Sequence, residues 1–165
     1  MATLKQEIQQ GIREMLKKYT DCAPEKILAG YNNHVQLPAD NDYIIFTVLN
    51  PRRYGTPIVV TDIKGSTSYQ DFRCEVQIDF YGNLAFDRAC DIVNISRTEF
   101  LCEFLSKYNI QPIFVDEAQN LTGISGEKEY VERWTVRLEI DYRDAVSVNQ
   151  DSFNTASLNI IRTEL

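Results

Sequence analysis

None of the hydrophobic runs in this chain nears the ~18 uninterrupted apolar residues that a helical membrane span requires. Its start, Met1-Ala2-Thr3-Leu4-Lys5-Gln6-Glu7, lacks the charged-then-apolar form of a secretory signal. The expectation is a chain made and folded in a cytoplasm, with no membrane partner. Histidine is nearly missing, with His34 alone, and the four cysteines (Cys22, Cys74, Cys90, Cys102) include no CxxC pair. Such spacings offer no zinc site and favour reduced thiols packed as small hydrophobes. Basic residues are short too: 17 Lys and Arg against 24 Asp and Glu leave a formal net charge of −7. A surface of that sign repels phosphate, so wrapping nucleic acid is not expected. No GxSxG, HExxH, P-loop or GxGxxG occurs, and no nucleophile stands beside a base. The chain is therefore expected to be neither an enzyme nor the holder of a cofactor or metal.

What is present is an ordinary globular composition, 44% hydrophobic and 25% charged over 165 residues, enough for one domain with a real core. Leu4, Ile8, Ile12, Met15, Leu16 and Tyr19 recur at helical spacing, predicting an amphipathic helix over 3–19 with Thr3 as N-cap. Gly11 inside it weakens the helix but permits close packing. Residues 20–42 carry turn-forming residues without period and predict a loop.

Two stretches alternate with period two. In 70–81, Phe72, Cys74, Val76, Ile78 and Phe80 face one way, and Arg73, Glu75, Gln77, Asp79 and Tyr81 the other. In 130–143, Trp134, Val136, Leu138, Ile140 and Tyr142 oppose Arg133, Arg137, Glu139, Asp141 and Arg143. Both predict half-buried antiparallel strands. Their complementary polar faces suit neighbours in one sheet, or alternatively a second subunit or a channel. Between them, 83–106 reads as helical, capped by Asn83, with Phe86, Ala89, Cys90, Val93, Phe100, Leu101 and Phe104 as its buried stripe and Arg97 interrupting it, at a helix end or an interface. Residues 110–115, containing Pro112, predict a short edge strand, and 116–129 a polar loop. The fold class is α+β: an antiparallel sheet with two main helices packed on one face. A single domain is expected over 1–145, with 146–165 as an extension whose weak apolar pattern, including Phe153 and Ile160, needs a partner surface.

The sharpest polar feature is Arg52-Arg53-Tyr54, between the apolar runs 43–49 and 58–61 and flanked by Pro51, Gly55 and Pro57. It predicts a rigid hairpin tip. Three uses are open: contact with a subunit or partner, an ordinary solvated turn, or a nucleic-acid contact. Arg and Tyr are enriched at protein–protein hot spots, which suits the first. A phosphate clamp would bring further basic or stacking residues, and only Lys64 follows nearby.

Taken in order, "NPRRYGTP" (50–57), "CEVQIDFYGNLAFDRACDI" (74–92) and "YVERWTVRLEIDYR" (130–143) resemble the neck or tail terminator proteins of tailed bacteriophages. The matching residues are Arg52, Arg53, Gly55, Thr56, Asp79, Phe80, Tyr81, Gly82, Asn83, Asp87, Arg133 and Trp134, over roughly residues 1–145. The resemblance implies a structural virion protein without an active site, assembled in the host cytoplasm. It implies a homo-oligomeric, six-membered ring that caps the tail tube and joins it to the neck connector, with DNA passing through. A different head–tail joining or tail completion component is the first alternative, and a small-molecule-binding or enzymatic domain, which would need a polar pocket that the sequence does not display, is the second. The candidate interface residues are Arg52, Arg53, Tyr54, Arg133, Arg137, Phe153 and Ile160.

Overall fold

The computed structural model describes residues 3–31, 36–62, 65–125 and 129–149. Helix α1 (Leu4–Tyr19) opens with a capping box: Gln6 N donates to Thr3 Oγ1, and Thr3 N donates to Gln6 Oε1. Its buried face is Ile8, Gly11, Ile12, Met15 and Leu16. A Cβ at Gly11 would lie 2.7 Å from Ile110 Cδ1 and 2.9 Å from Tyr108 Cβ. The helix gives up some propensity there to let the chain entering the fifth strand press against it.

The chain then forms a 3₁₀ turn (Pro24–Lys26) and strands β1 (Ile27–Ala29), β2 (Tyr43–Arg53), β3 (Ile58–Asp62) and β4 (Gly65–Tyr81). Helices α2 (Ala85–Ile95) and α3 (Glu99–Ser106) follow. After them come β5 (Ile110–Val115), β6 (Gln119–Asn120), β7 (Gly123–Ser125), β8 (Glu129–Val131) and β9 (Arg133–Asn149). The main sheet has seven strands, ordered β1-β2-β4-β9-β5, with β3 also pairing β4 and β6 also pairing β9. The two alternating stretches are indeed neighbours, antiparallel and in unbroken register from Gly65↔Asn149 to Tyr81↔Arg133. Their apolar residues Cys74, Val76, Ile78, Phe80, Val136, Leu138 and Ile140 are buried together with α1, α2 and α3. The architecture is α+β, with β5 at the sheet edge as Pro112 requires.

Several local expectations are corrected. The sheet is mixed, because β1 pairs β2 in parallel; 20–42 was expected to be a loop, but Ile27 and Ala29 are apolar enough to be buried there. The expected helix over 83–106 is two helices, so three rather than two pack on the sheet. The break falls at Ser96–Thr98, where Ser96 and Thr98 hydroxyls donate to the carbonyls of Val93 and Ile95 and compete with helix propagation. That break rotates the stripe: Ala85, Ala89, Ile92, Leu101 and Leu105 are buried, whereas Phe86 and Phe100 are about half exposed. Asn83 is not the cap; it lies in the turn after Gly82, and Leu84 precedes α2 without a side-chain cap bond. Gly82 has φ +96°, and a Cβ there would meet Asp42 Cα at 3.0 Å, so this turn needs glycine. Residues 116–129 contain β6, β7 and the first residue of β8 rather than loop alone.

The largest correction concerns 43–60. Strands β2 and β3 do not pair with each other; both pair with β4, one after the other along the same edge. Arg52-Arg53-Tyr54 therefore sits midway along the edge that β2 and β3 form on β4, not at a tip. Two apolar runs with a turn-like insert have the pattern of a hairpin, but the insert is a register shift.

Candidate functional site

The helix-free face of the sheet carries the polar members of both alternating strands. Asp71 and Arg143 are opposed in register, as are Arg73 and Asp141. Each pair is bidentate: Arg73 Nε and Nη2 donate to Asp141 at 2.7 and 2.9 Å, and Arg143 Nε and Nη2 donate to Asp71 at 2.6 and 2.9 Å. One position is awkward, because Glu75 and Glu139 also face each other. Arg52 answers it from β2, with Nη2 donating to Glu139 Oε1 at 3.0 Å.

A bulge brings Arg52 there. The β2–β4 register shifts between Leu49 and Arg52, at Asn50 with its φ of +49°. Before the shift odd residues of β2 oppose odd residues of β4, as in Leu49↔Glu75; after it Arg52 opposes Arg73. Because side chains alternate with period two, this single extra residue exchanges the faces of everything beyond it. Arg52 and Tyr54 join the polar face, and Arg53, opposite Phe72, goes to the other. Tyr54 OH donates to Asp141 Oδ2 at 2.9 Å, and the Arg73 guanidinium lies 5.3 Å from its ring.

At the far end of the sheet Asp79, on the polar face of β4, is buried and ion-paired. It accepts from Arg133 Nε and Nη2 at 3.2 and 3.0 Å, from Thr135 Oγ1 at 2.5 Å and from Gln77 Nε2 at 2.9 Å. Arg133 also lies 5.6 Å from the ring of Tyr81, on which Tyr43 stacks at 4.5 Å.

Of the seven interface candidates, Arg52, Tyr54 and Arg133 are thus bound within the chain's own ladder. Arg53 and Arg137 are exposed, and among the described residues neither side chain has a hydrogen-bond or ion-pair partner. Phe153 and Ile160 lie outside the described residues. What the sequence reading missed is the arm formed by β3 with the distal parts of β4 and β9, where Ile58, Val59, Val60, Val146 and Val148 are each more than half exposed. A usable signal was there: 58–61, 65–70 and 145–149 hold no charged residue in a chain that is 25% charged.

The ladder has a pH consequence. Hydrogen bonds from Arg73 hold the Asp141 carboxyl below its usual range, those from Arg143 do the same to Asp71, and those from Arg88 to Asp42. A carboxyl whose folded value is depressed stabilises the fold above its unfolded value, about 3.9, and that contribution disappears as pH falls through the folded value. The melting temperature should therefore hold steady from about pH 8 to 5 and fall below about pH 4. Calorimetry on Asp141→Asn should show a shallower acid decline than wild type. Elsewhere, burial pushes the Cys74 thiol up to about 12, as suits a packed, unreactive cysteine.

An open cleft of about 690 Å³ is rimmed by Asp40, Asp42 and Glu132, but no nucleophile–base pair lines it. Among the described residues no group of three His, Cys, Asp or Glu converges as a metal site would. No helix among them is long and apolar enough to cross a membrane.

A family model described as phage neck terminator protein matches residues 6–164, and the chain belongs to that family. Its role is accordingly that of a structural component of the phage neck and tail, located in the virion and associated with other neck and tail components. A comparison with curated proteins found no match.

Proposed function

We propose that the protein terminates the tail by closing into a homo-oligomeric ring, with a hexamer as the expected stoichiometry. One side of the ring seats on the tail tube protein, the other receives the neck connector protein, and DNA passes through the centre. The protein works by shape and contact, without catalysis or cofactor, and assembles in the host cytoplasm.

The observation that carries this reading is the length of the central strand pair. Strands β4 and β9 have 17 residues each, which at ~3.4 Å per residue extends to roughly 58 Å. A compact chain of this length has a radius of gyration of only about 15 Å. The pair therefore overshoots the body, and its distal third, 65–70 with 145–149, contributes no residue to the buried core. A ribbon of that kind is poorly stabilised alone and suits contact with a neighbour. The net charge of −7 is consistent with a channel through which DNA slides without adhering.

The test is light scattering and negative-stain microscopy on the full chain, alone and with tail tube protein. Rings with a central hole are expected. A monomer at every concentration, with tube protein present as well, would overturn the reading.

A further inference from the structure

We infer that the segment 150–165 of this chain turns back at the tip of the arm and lies as a further helix across β4 and β9, on the side of the sheet where the other helices pack. The inference stands apart from the ring reading, and it decides which side of the arm a neighbour can use.

The first observation is a face that α1, α2 and α3 leave bare. Cys74, Val76, Ile78 and Phe80 of β4 are buried with those helices. The β4–β9 register continues unbroken to Gly65↔Asn149. Alternation therefore places Phe72, Ser68 and Ser66, with Tyr142, Val146 and Val148 opposite them, on that same face. Phe72 and Tyr142 stack at 5.6 Å where the core ends. Beyond them Val146 and Val148 are 58% and 59% exposed. The serines opposite these valines are small, so a helix can approach the sheet closely. Asp144, at the root of the stretch, accepts from the Ala145 amide.

The second observation is where β9 leads. It runs outward to Asn149 at the tip, and residues 150–165, outside the described residues, follow from there. Gln150-Asp151-Ser152 is turn-forming and supplies an N-cap. After it Phe153, Ala156, Ile160 and Ile161 recur at helical spacing, with Leu158 and Leu165 beside them. Thr155, Asn159, Arg162 and Thr163 fall on the opposite side. Such a stripe needs cover, and the family match runs through it to residue 164. A strand fits this segment less well. Strand β5 already pairs with β9 at Tyr142, which leaves ~24 Å of free edge against the ~46 Å that 152–165 would need if extended.

Length and charge agree. A helix over 153–164 spans ~18 Å, and the strand from Asn149 back to Tyr142 spans ~24 Å. The end of the helix therefore reaches the root of the arm, where Arg53 opposes Phe72 on the same face. Arg53 is exposed and has no hydrogen-bond or ion-pair partner among the described residues, and Glu164 is the carboxylate delivered to it. The occupant is the chain's own segment because its tether holds it near the face at an effective concentration of roughly millimolar. A helix ~10 Å across covers two strands at ~4.8 Å spacing, so it sits over β4 and β9 and leaves Val59 on β3 in solvent. Ile58 and Val60, on the other side of the arm, stay open to a neighbour. Phe153 and Ile160 then pack within their own subunit.

The test is hydrogen exchange on the full chain, read by mass spectrometry. Amides of 154–164 should exchange about tenfold or more slowly than in a free peptide of 150–165, and equally so at every protein concentration. Val146→Asp with Val148→Asp should bring them to the free-peptide rate. Arg53→Glu should speed them roughly two- to fivefold, as loss of an exposed ion pair does. Adding Glu164→Arg to Arg53→Glu should slow them again, a recovery that a merely structural arginine would not give. A second measurement needs no destabilising change: Val146→Cys with Ile160→Cys should oxidise to an intrachain disulfide that runs as a monomer on a non-reducing gel. Free-peptide exchange in the wild type overturns the inference. So does unchanged slow exchange in the Val146→Asp, Val148→Asp variant, which would put the segment elsewhere. A disulfide that links two chains means that a neighbour's segment covers the face, and overturns it as well. None of these outcomes bears on whether rings form.

Discussion

Asp42→Ala should lower the melting temperature by roughly 6–20 °C, corresponding to about 3–5 kcal/mol for a chain of this size. The loss comes less from the aspartate than from what it leaves behind. Arg88 on α2 is buried, an unusual place for a guanidinium. Its Nη1 and Nη2 donate to Asp42 at 2.5 and 3.4 Å, and its Nε donates to the Thr20 carbonyl at 3.2 Å. The cation also lies at the C-terminal end of α1, where the helix dipole favours it. Lys26 completes the network, with Nζ donating to Asp40 at 2.5 Å and to Asp42 at 3.4 Å. One arginine thereby ties together the end of α1, the start of α2 and the entry to β2. Removing Asp42 leaves that cation buried with one carbonyl for company. The companion measurement is Asp42→Ala combined with Arg88→Met. Removing both partners of a buried pair costs much less than removing one, so the double variant should melt above the single. Equal or lower melting of the double variant would show that the network is not what holds these elements.

Phe80→Ala should cost about 3–5 kcal/mol, read as a lower urea midpoint at unchanged slope. Phe80 is fully buried on β4, and its register partners are Ile44 on β2 and Trp134 on β9. Strands on both sides hold it, so the cavity cannot collapse and the lost contacts are not replaced. Val59→Ala makes the contrast. It truncates an apolar residue of the same sheet, but one on the arm and exposed to solvent, and should change monomer stability by less than about 0.5 kcal/mol. A large effect at Val59 in the monomer would mean that the arm is held by its own chain. A small effect at Phe80 would remove it from the core.

These two sites differ in how far the sequence announces them. The alternation through Cys74, Val76, Ile78 and Phe80 makes the core face of β4 legible, because period two leaves no other face for it. The same holds for Trp134 to Ile140, and for α1, whose helical spacing and Thr3 box specify both face and start. Arg88 and Asp42 were not legible. Nothing in a chain with 17 basic residues marks the one that a helix will turn inward, and its partner is 46 positions away. The split between α2 and α3 was marked only by Arg97 interrupting the apolar stripe: hydroxyl bonds at Ser96 and Thr98 are local, but serine and threonine are common inside helices too.

The pattern around Arg52, Arg53 and Tyr54 divides most sharply between the two levels. By itself the sequence determined that β4 and β9 are half-buried strands with complementary charged faces, and that the order of its motifs is that of a terminator. The first follows from periodicity and residue type, which are local properties; the second is a resemblance carried by the ordered set of motifs. Only the tertiary structure decided that β2 and β3 lie end to end on β4, because strand partners are chosen by long-range burial and not by the length of the insert between them. It also decided which arginine meets Glu139. One extra residue at Asn50 reverses the alternation, so Arg52 goes to the polar face and Arg53 away from it. Alternation in a sequence specifies which residues share a face; a bulge, set by the fit of the whole sheet, specifies which face that is.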